Sequence, residues 1–270
     1  MNQMISFVKQ LYREIENTDV FGLSAQLAYF FLLSLFPFLL FLITLIGYLP
    51  INDQVIIDLL KMYAPKEIIS LIEENITTIV YTQNGSLLSI SIIGTLWSAS
   101  NGVNAITKAF NQAYKVRENR SFLVSRIIAI GLTIAMIAVI AIALLLPVFG
   151  RMLGVFLFSF VQLSDGFLEI WDMLRWVISS IVIFIVLVAL YKLAPNKRVR
   201  FSHAIWGALL ATFSWQLVSL IFSYYVSTLG NYSATYGSLG TVIVLMIWLY
   251  ISGMIIIVGG IVNAIILKRS

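Results

Sequence analysis

Between residues 97 and 115 the chain places Trp97, Asn101, Asn104, Lys108, Asn111 and Lys115 at alternating steps of four and three. At about 100° per residue, a helix gathers all six into one stripe roughly 80° wide. Such a stripe can hydrogen-bond a partner helix, or it can wall a water-filled route that opens beside Lys108 and Lys115. A second polar set follows, in which Ser214, Gln216, Ser219, Ser223, Tyr224 and Tyr225 lead into the uncharged run 230–238 containing Tyr236. Hydroxyls and amides without formal charge suit neutral groups or dipole-bound ions, and Gly230 and Asn231 equally suit a plain turn of the chain. With Asn263 in the last apolar run, the candidate polar residues are Trp97, Asn101, Asn104, Lys108, Ser219, Ser223, Tyr225, Tyr236 and Asn263. Each serves either a pathway or helix packing.

Charged and nucleophilic chemistry is where the chain is poorest. It has one histidine and no cysteine, so disulfides, thiolate zinc sites and thiol-linked lipids are excluded. Metal-dependent hydrolysis needs several histidines and carboxylates converging on one ion. His203 follows Arg198 and Arg200 at a helix start, where a surface role is expected, and Glu73 and Glu74 diverge by about 100° on a helix. No phosphate-loop or zincin motif occurs. The expectation is no enzyme, with no catalytic, cofactor or metal site.

These residues sit in a chain that is 60% apolar and 11% charged, with mean hydropathy +0.99. Charged residues are too few to cover a water-soluble surface, so the membrane must be the solvent. Apolar runs long enough to span lie near 24–49, 86–107, 127–149, 176–194, 203–229 and 238–267. The fold class is an all-α integral membrane protein, with residues 1–270 forming a single domain of six transmembrane helices. Residues 1–22 read as a helix at the membrane surface, with Phe7, Leu11 and Ile15 recurring every four positions. Pro37, preceded by Ser34, predicts a kink in the first span, which is expected to end at Pro50. The connection 51–85 reads as two amphipathic helices broken near Pro65, and 150–175 as an aromatic-rich interfacial segment, with a re-entrant hairpin as the alternative. Small residues four apart, as in Ala204–Ala208–Thr212, Gly207–Ala211, Gly94–Ser98 and Gly260–Ala264, predict close helix contacts.

Charge sets the orientation. The N-terminus, 108–126, 192–200 and the C-terminus hold 13 of the 17 basic residues against Glu14, Glu16, Asp19 and Glu118; the remaining connections hold four basic residues and eight acids. The positive-inside rule then puts both termini in the cytoplasm. The net charge of +5 is on this reading a by-product of topology. It attracts anionic head groups rather than nucleic acid, which is not expected as a partner.

The segment from Ala25 to Pro37 resembles the opening signature of the YihY family of bacterial inner-membrane proteins, also called the BrkB virulence-factor family. Further likenesses are Leu96 to Gly102, Tyr191-Lys192-Leu193-Ala194-Pro195, Tyr236-Gly237 and Trp248-Leu249-Tyr250. Many relatives end the sixth span with Gly-Ala-Glu-x-Asn-Ala, whereas this chain reads Gly259-Gly260-Ile261-Val262-Asn263-Ala264, so no role of that glutamate carries over. The resemblance implies six spans and a cell-envelope setting, with transport often proposed. The family has also circulated under a ribonuclease name, which the residue inventory gives no reason to accept.

The residues and the resemblance together lead to a permease or a lipid or amphiphile transporter of the bacterial cytoplasmic membrane, with its pathway between the second, fifth and sixth spans. Its partners are membrane lipids and an amphiphilic or anionic substrate. A non-transporting envelope scaffold is the alternative, and a membrane-bound ribonuclease a distant third. A tag on either terminus is expected to resist protease and antibody in intact cells and to become accessible once the membrane is opened; labelling from outside would overturn the six-span reading.

Overall fold

The structure, a computed structural model, describes residues 2–46, 48, 84–137, 166–229 and 238–269. Among these, every regular element is a helix: α1 (Asn2–Asn17), α2 (Val20–Ile46), α3 (Gly85–Ala113), α4 (Phe122–Ile137), α5 (Gly166–Leu193), α6 (Phe201–Leu229) and α7 (Ser238–Arg269). Four contain stretches long and apolar enough to cross a membrane: Val20–Phe41, Trp176–Leu193, Phe201–Val226 and Val242–Lys268. The second expected span forms α3, which at 29 residues is long enough. It is not among those four, because its serines, threonines and asparagines lower its hydropathy. The third begins within α4, and its continuation to 149 lies outside the described residues, as do the expected helices of 51–83 and the polar run 230–237.

Two boundaries differ from expectation, each for a local reason. The surface helix stops at Asn17, where Asp19 takes a left-handed conformation (φ 50°) and its Oδ1 accepts the Gly22 amide at 3.2 Å. That carboxylate caps α2, and it lies so close that a side chain at Gly22 would collide with it. Pro37 lies inside α2, as the expected first span has it, and Ser34 donates to Phe31 O at 2.7 Å. In α5 the helix starts ten residues before the expected span, so Phe167 to Arg175 are its first turns rather than part of a connection.

The chain divides into two compact units, Phe31–Ala99 and the remainder, Met1–Phe30 with Ser100–Ser270. In the first, Pro37 of α2 packs on α3, its Cβ 3.3 Å from where a Cβ would stand at Gly94. Asn84 caps α3 by accepting the Leu87 amide at 3.0 Å.

The second unit is built around an antiparallel α6–α7 pair. Their direction follows from the contacts: Gly207 and Ala204 meet Asn263, whereas Trp215, two turns later, meets Ser252. A side chain at Gly207 would strike the Gly259 carbonyl, and one at Gly259 would strike the Tyr191 hydroxyl. Ala204, Ala208, Ala211 and Ala264 are buried in the same unit, as small residues at helical spacing predict. Gln216 of α6 donates to Ser180 of α5. On its outer faces the unit exposes Trp206, Leu209, Phe213 and Leu217, an apolar surface that hydrocarbon rather than water can cover.

Backbone contact without room for Cβ makes a sharp expectation. Gly207→Leu should destabilise the protein by about 3 kcal/mol or more, whereas Gly131→Ala, whose new methyl meets nothing within 4 Å, should leave the melting temperature equal or slightly higher. Thermal unfolding in detergent followed by tryptophan fluorescence compares the two.

Candidate functional site

The α3 stripe meets several different fates. Trp97 is exposed, Asn104 half-buried and Lys108 exposed. Asn101 accepts a hydrogen bond from Arg126 Nη1 of α4 at 2.7 Å, a charge-assisted contact of the stronger class. Asn111 is buried and works with both ends of its amide: Nδ2 donates to Glu118 Oε2 at 2.9 Å, and Oδ1 accepts the Asn196 amide at 2.7 Å.

Asn111 thereby introduces a clamp between the connections 114–121 and 194–200. The guanidinium of Arg120 donates to Ala194 O at 3.1 Å and Pro195 O at 2.6 Å, with a longer contact to Leu193 O at 3.5 Å. These are carbonyls that the end of α5 leaves without amide partners, and a planar cation satisfies them as a C-terminal cap. Asn196 Nδ2 returns a bond to Arg117 O at 2.8 Å. Glu118 spends both carboxylate oxygens nearby, on Asn111 and on the Arg120 amide at 3.0 Å. The α3 end that feeds this clamp is closed by Lys115 in the left-handed region (φ 55°), with Val116 N–H bonding back to Asn111 O at 2.9 Å.

A second tie reaches the same end of the unit. Lys268, near the end of α7, pairs with Glu14 of α1 at 3.0 Å. Because α6 and α7 run antiparallel, Lys268 lies at the end where α6 begins, beside the 194–200 connection. The four basic segments of the sequence therefore converge on one end. Burial pushes the Tyr114 phenol far above its usual range, so it remains a neutral hydroxyl, and the ammonium of Lys197 stands 5.7 Å from its ring centre.

Away from that end the interior is polar but uncharged. Asn263 is fully buried; its Oδ1 accepts the Gly207 amide at 2.6 Å and its Nδ2 donates to Ala204 O at 3.2 Å. Tyr191 donates to Ile256 O at 3.0 Å and packs its ring 5.4 Å from that of Phe110. Ile261, at the position of the relatives' glutamate, is fully buried. Ser219 has a buried hydroxyl without a hydrogen-bond partner, as do Ser179 and Thr212. Ser223 and Tyr225 are exposed, Tyr225 lying 6.5 Å from the Phe222 ring; Tyr236 lies outside the described residues. Among the described residues no group of three His, Asp or Glu side chains could hold a metal ion.

Residue types alone did not single out Arg120, Arg126, Glu118, Asn196 or Tyr191. The available signals were Glu118 as the lone acid of a basic connection and Tyr191 within the Tyr-Lys-Leu-Ala-Pro motif.

The family model described as virulence factor BrkB matches residues 11–270. The ribonuclease-like protein YfkH of Bacillus subtilis (strain 168) is 51% identical over 265 residues, covering 98% of this chain and 96% of that protein. The UPF0761 membrane protein IL2447 of Idiomarina loihiensis is 28% identical over 163 residues, 60% of this chain and 55% of that one. The UPF0761 membrane protein PBPRA3489 of Photobacterium profundum is 24% identical over 272 residues, 100% of this chain and 83% of that one. No solved structure matches.

The clamp depends on a fork of donors rather than on charge alone. Arg120→Ala should cost about 2 kcal/mol, and Arg120→Lys should recover little of it, because an ammonium cannot reach several carbonyls in one plane. Melting temperatures of the two variants and the parent protein measure this.

Proposed function

The chain belongs to the virulence factor BrkB family of bacterial membrane proteins, and from that premise we propose that it is a permease or a lipid or amphiphile transporter of the cell envelope. The observation that carries the reading is the set of buried hydroxyls of Ser179, Thr212 and Ser219, which have no hydrogen-bond partner. A buried donor left unmade costs about 1–3 kcal/mol, and serine or threonine in a helix can ordinarily avoid this by bonding the carbonyl one turn back, as Thr133 does to Ala129 O at 2.7 Å. Hydroxyls kept open inside α5 and α6 are suited to a polar group that passes through and is met only in transit. Neutral interior groups let an amphiphile leave again, where a buried charge would hold it.

In this reading the chain crosses the membrane six times, with α3 and α4 supplying the second and third spans and both termini in the cytoplasm. The convergence of the basic segments on one end supports that orientation. The pathway runs among α3, α6 and α7, with basic residues at its inner mouth for an anionic head group. No enzymatic step is proposed: hydrolysis would need a ligand set that one histidine and peripheral acids do not offer.

A scaffold that assembles envelope machinery is the second reading, and it is favoured by Asn101, Asn111 and Asn263, whose amides are all engaged in holding the protein together. Reconstitution in liposomes with labelled lipids and small solutes separates the two. Transport predicts movement of a substrate that Ser219→Ala slows several-fold while leaving stability equal or slightly higher, since removing an unpartnered hydroxyl relieves its desolvation cost. Movement of no substrate, with Asn101→Leu losing stability because it leaves Arg126 without this acceptor, favours the scaffold.

A further inference from the structure

Five exposed cations, Lys115, Arg117, Lys197, Arg198 and Arg200, stand on the two connections that Arg120 and Asn196 tie together. The bond from Asn196 Nδ2 to Arg117 O sets Arg117 beside the residue that precedes Lys197, and Lys197 lies over the ring of Tyr114, the neighbour of Lys115. Lys115, Arg117 and Lys197 are thus drawn together from positions about eighty residues apart in sequence. The one carboxylate among them, Glu118, is set against the guanidinium of Arg120 at 3.9 Å, so its charge is balanced there and the five exposed cations remain. A field of like charge is left without a counter-charge.

The patch has an apolar collar. Phe122 and Leu123, which directly follow Ser121, are 75% and 71% exposed, and Leu193 and Phe201, on either side of Lys197 in sequence, are 51% and 59% exposed. Lys192 lays its ammonium 3.1 Å from the centre of the Phe201 ring, so this apolar surface runs directly into the charged one. A soluble polyanion would cover the cations and leave the collar in water. A phospholipid satisfies both halves at once, with its phosphate on the cations and its upper acyl chains on the collar.

We propose that the clamped connections 114–121 and 194–200 form a binding site for the head group of an anionic phospholipid in the adjoining leaflet, with Lys115, Arg117 and Lys197 on the phosphate and Phe122, Leu123 and Phe201 against its chains. The assignment to the cytoplasmic leaflet rests on the orientation proposed above; the site itself does not, and neither does it require transport. As a resident ligand, the lipid would screen cations that otherwise repel one another, and it would hold two connections whose register the clamp sets.

The test uses the full-length protein in neutral detergent micelles doped with phosphatidylglycerol or phosphatidylcholine, with lipid retention read by native mass spectrometry. The paired variant Arg117→Gln/Lys197→Gln should bind phosphatidylglycerol about thirty-fold more weakly, the effect of two basic contacts near a membrane surface, with an unchanged melting temperature in lipid-free detergent because both side chains are exposed. The control pair Lys9→Gln/Arg13→Gln removes the same charge from α1 and should retain the lipid. Equal weakening in both pairs would mean that net charge alone attracts the lipid, and the proposal would fall. Equal retention of phosphatidylcholine, or full displacement of phosphatidylglycerol by millimolar inorganic phosphate, would also overturn it, the latter by showing a site for free anions. Failure of the liposome flux assay with this site intact would remove the transport reading alone.

Discussion

Asn263 fixes the distance between α6 and α7. Helices in hydrocarbon gain nothing from burying apolar surface against one another, since lipid chains are as apolar as leucine, so association depends on close van der Waals fit and on hydrogen bonds. Gly207 and Gly259 allow the two backbones to touch, and the Asn263 amide then bonds the Gly207 N–H and the Ala204 carbonyl on the opposite helix. An amide can do this without the desolvation penalty of a charge. The same contact aligns Tyr191 on Ile256 O and the Trp215 indole on Ser252 at 3.0 Å. Shifting one helix by a turn would break all of these together.

From this neutral interior the polarity rises toward one end. There the protein uses ions, but it uses them in pairs or as caps: Glu14 with Lys268, Glu118 with Asn111 and the Arg120 amide, Arg120 with the carbonyls closing α5. The Glu14–Lys268 pair and the Arg120 caps link segments distant in sequence, so the charged end is tied together from several parts of the chain. What it leaves unpaired is almost wholly positive, and that surplus faces outward beside exposed phenylalanines. Polarity therefore grades from uncharged hydroxyls within the unit to a basic rim at one end.

The division of legible and illegible features follows from the physics of each. Helix identity was plain because period and hydropathy are local: all the described spans are helical where apolar runs were read. Boundaries shifted where a single side chain decided them, as with the Asp19 cap that ends α1 early. The Trp97–Lys115 stripe was legible as a stripe, yet its residues separate by function. Asn101 and Asn111 meet partners on other elements, whereas Lys108 stays exposed. Nothing in the spacing could distinguish these, because the partner of a side chain lies on another helix. Arg126 illustrates the converse: its position at a membrane boundary suggested a flanking charge, and tertiary packing turned it onto Asn101.

By itself the sequence determined that this chain is helical, membrane-embedded and charged asymmetrically, since hydropathy and charge count are sums over residues and need no geometry. It also determined where backbones could approach, because a missing side chain is a property of the residue. Tertiary structure alone decided which amides are consumed in packing and which hydroxyls stay open, and it alone brought Arg117 beside Lys197. Hydrogen bonding depends on distances of about 3 Å between groups about eighty positions apart along the chain, and only the folded arrangement of the helices sets those distances.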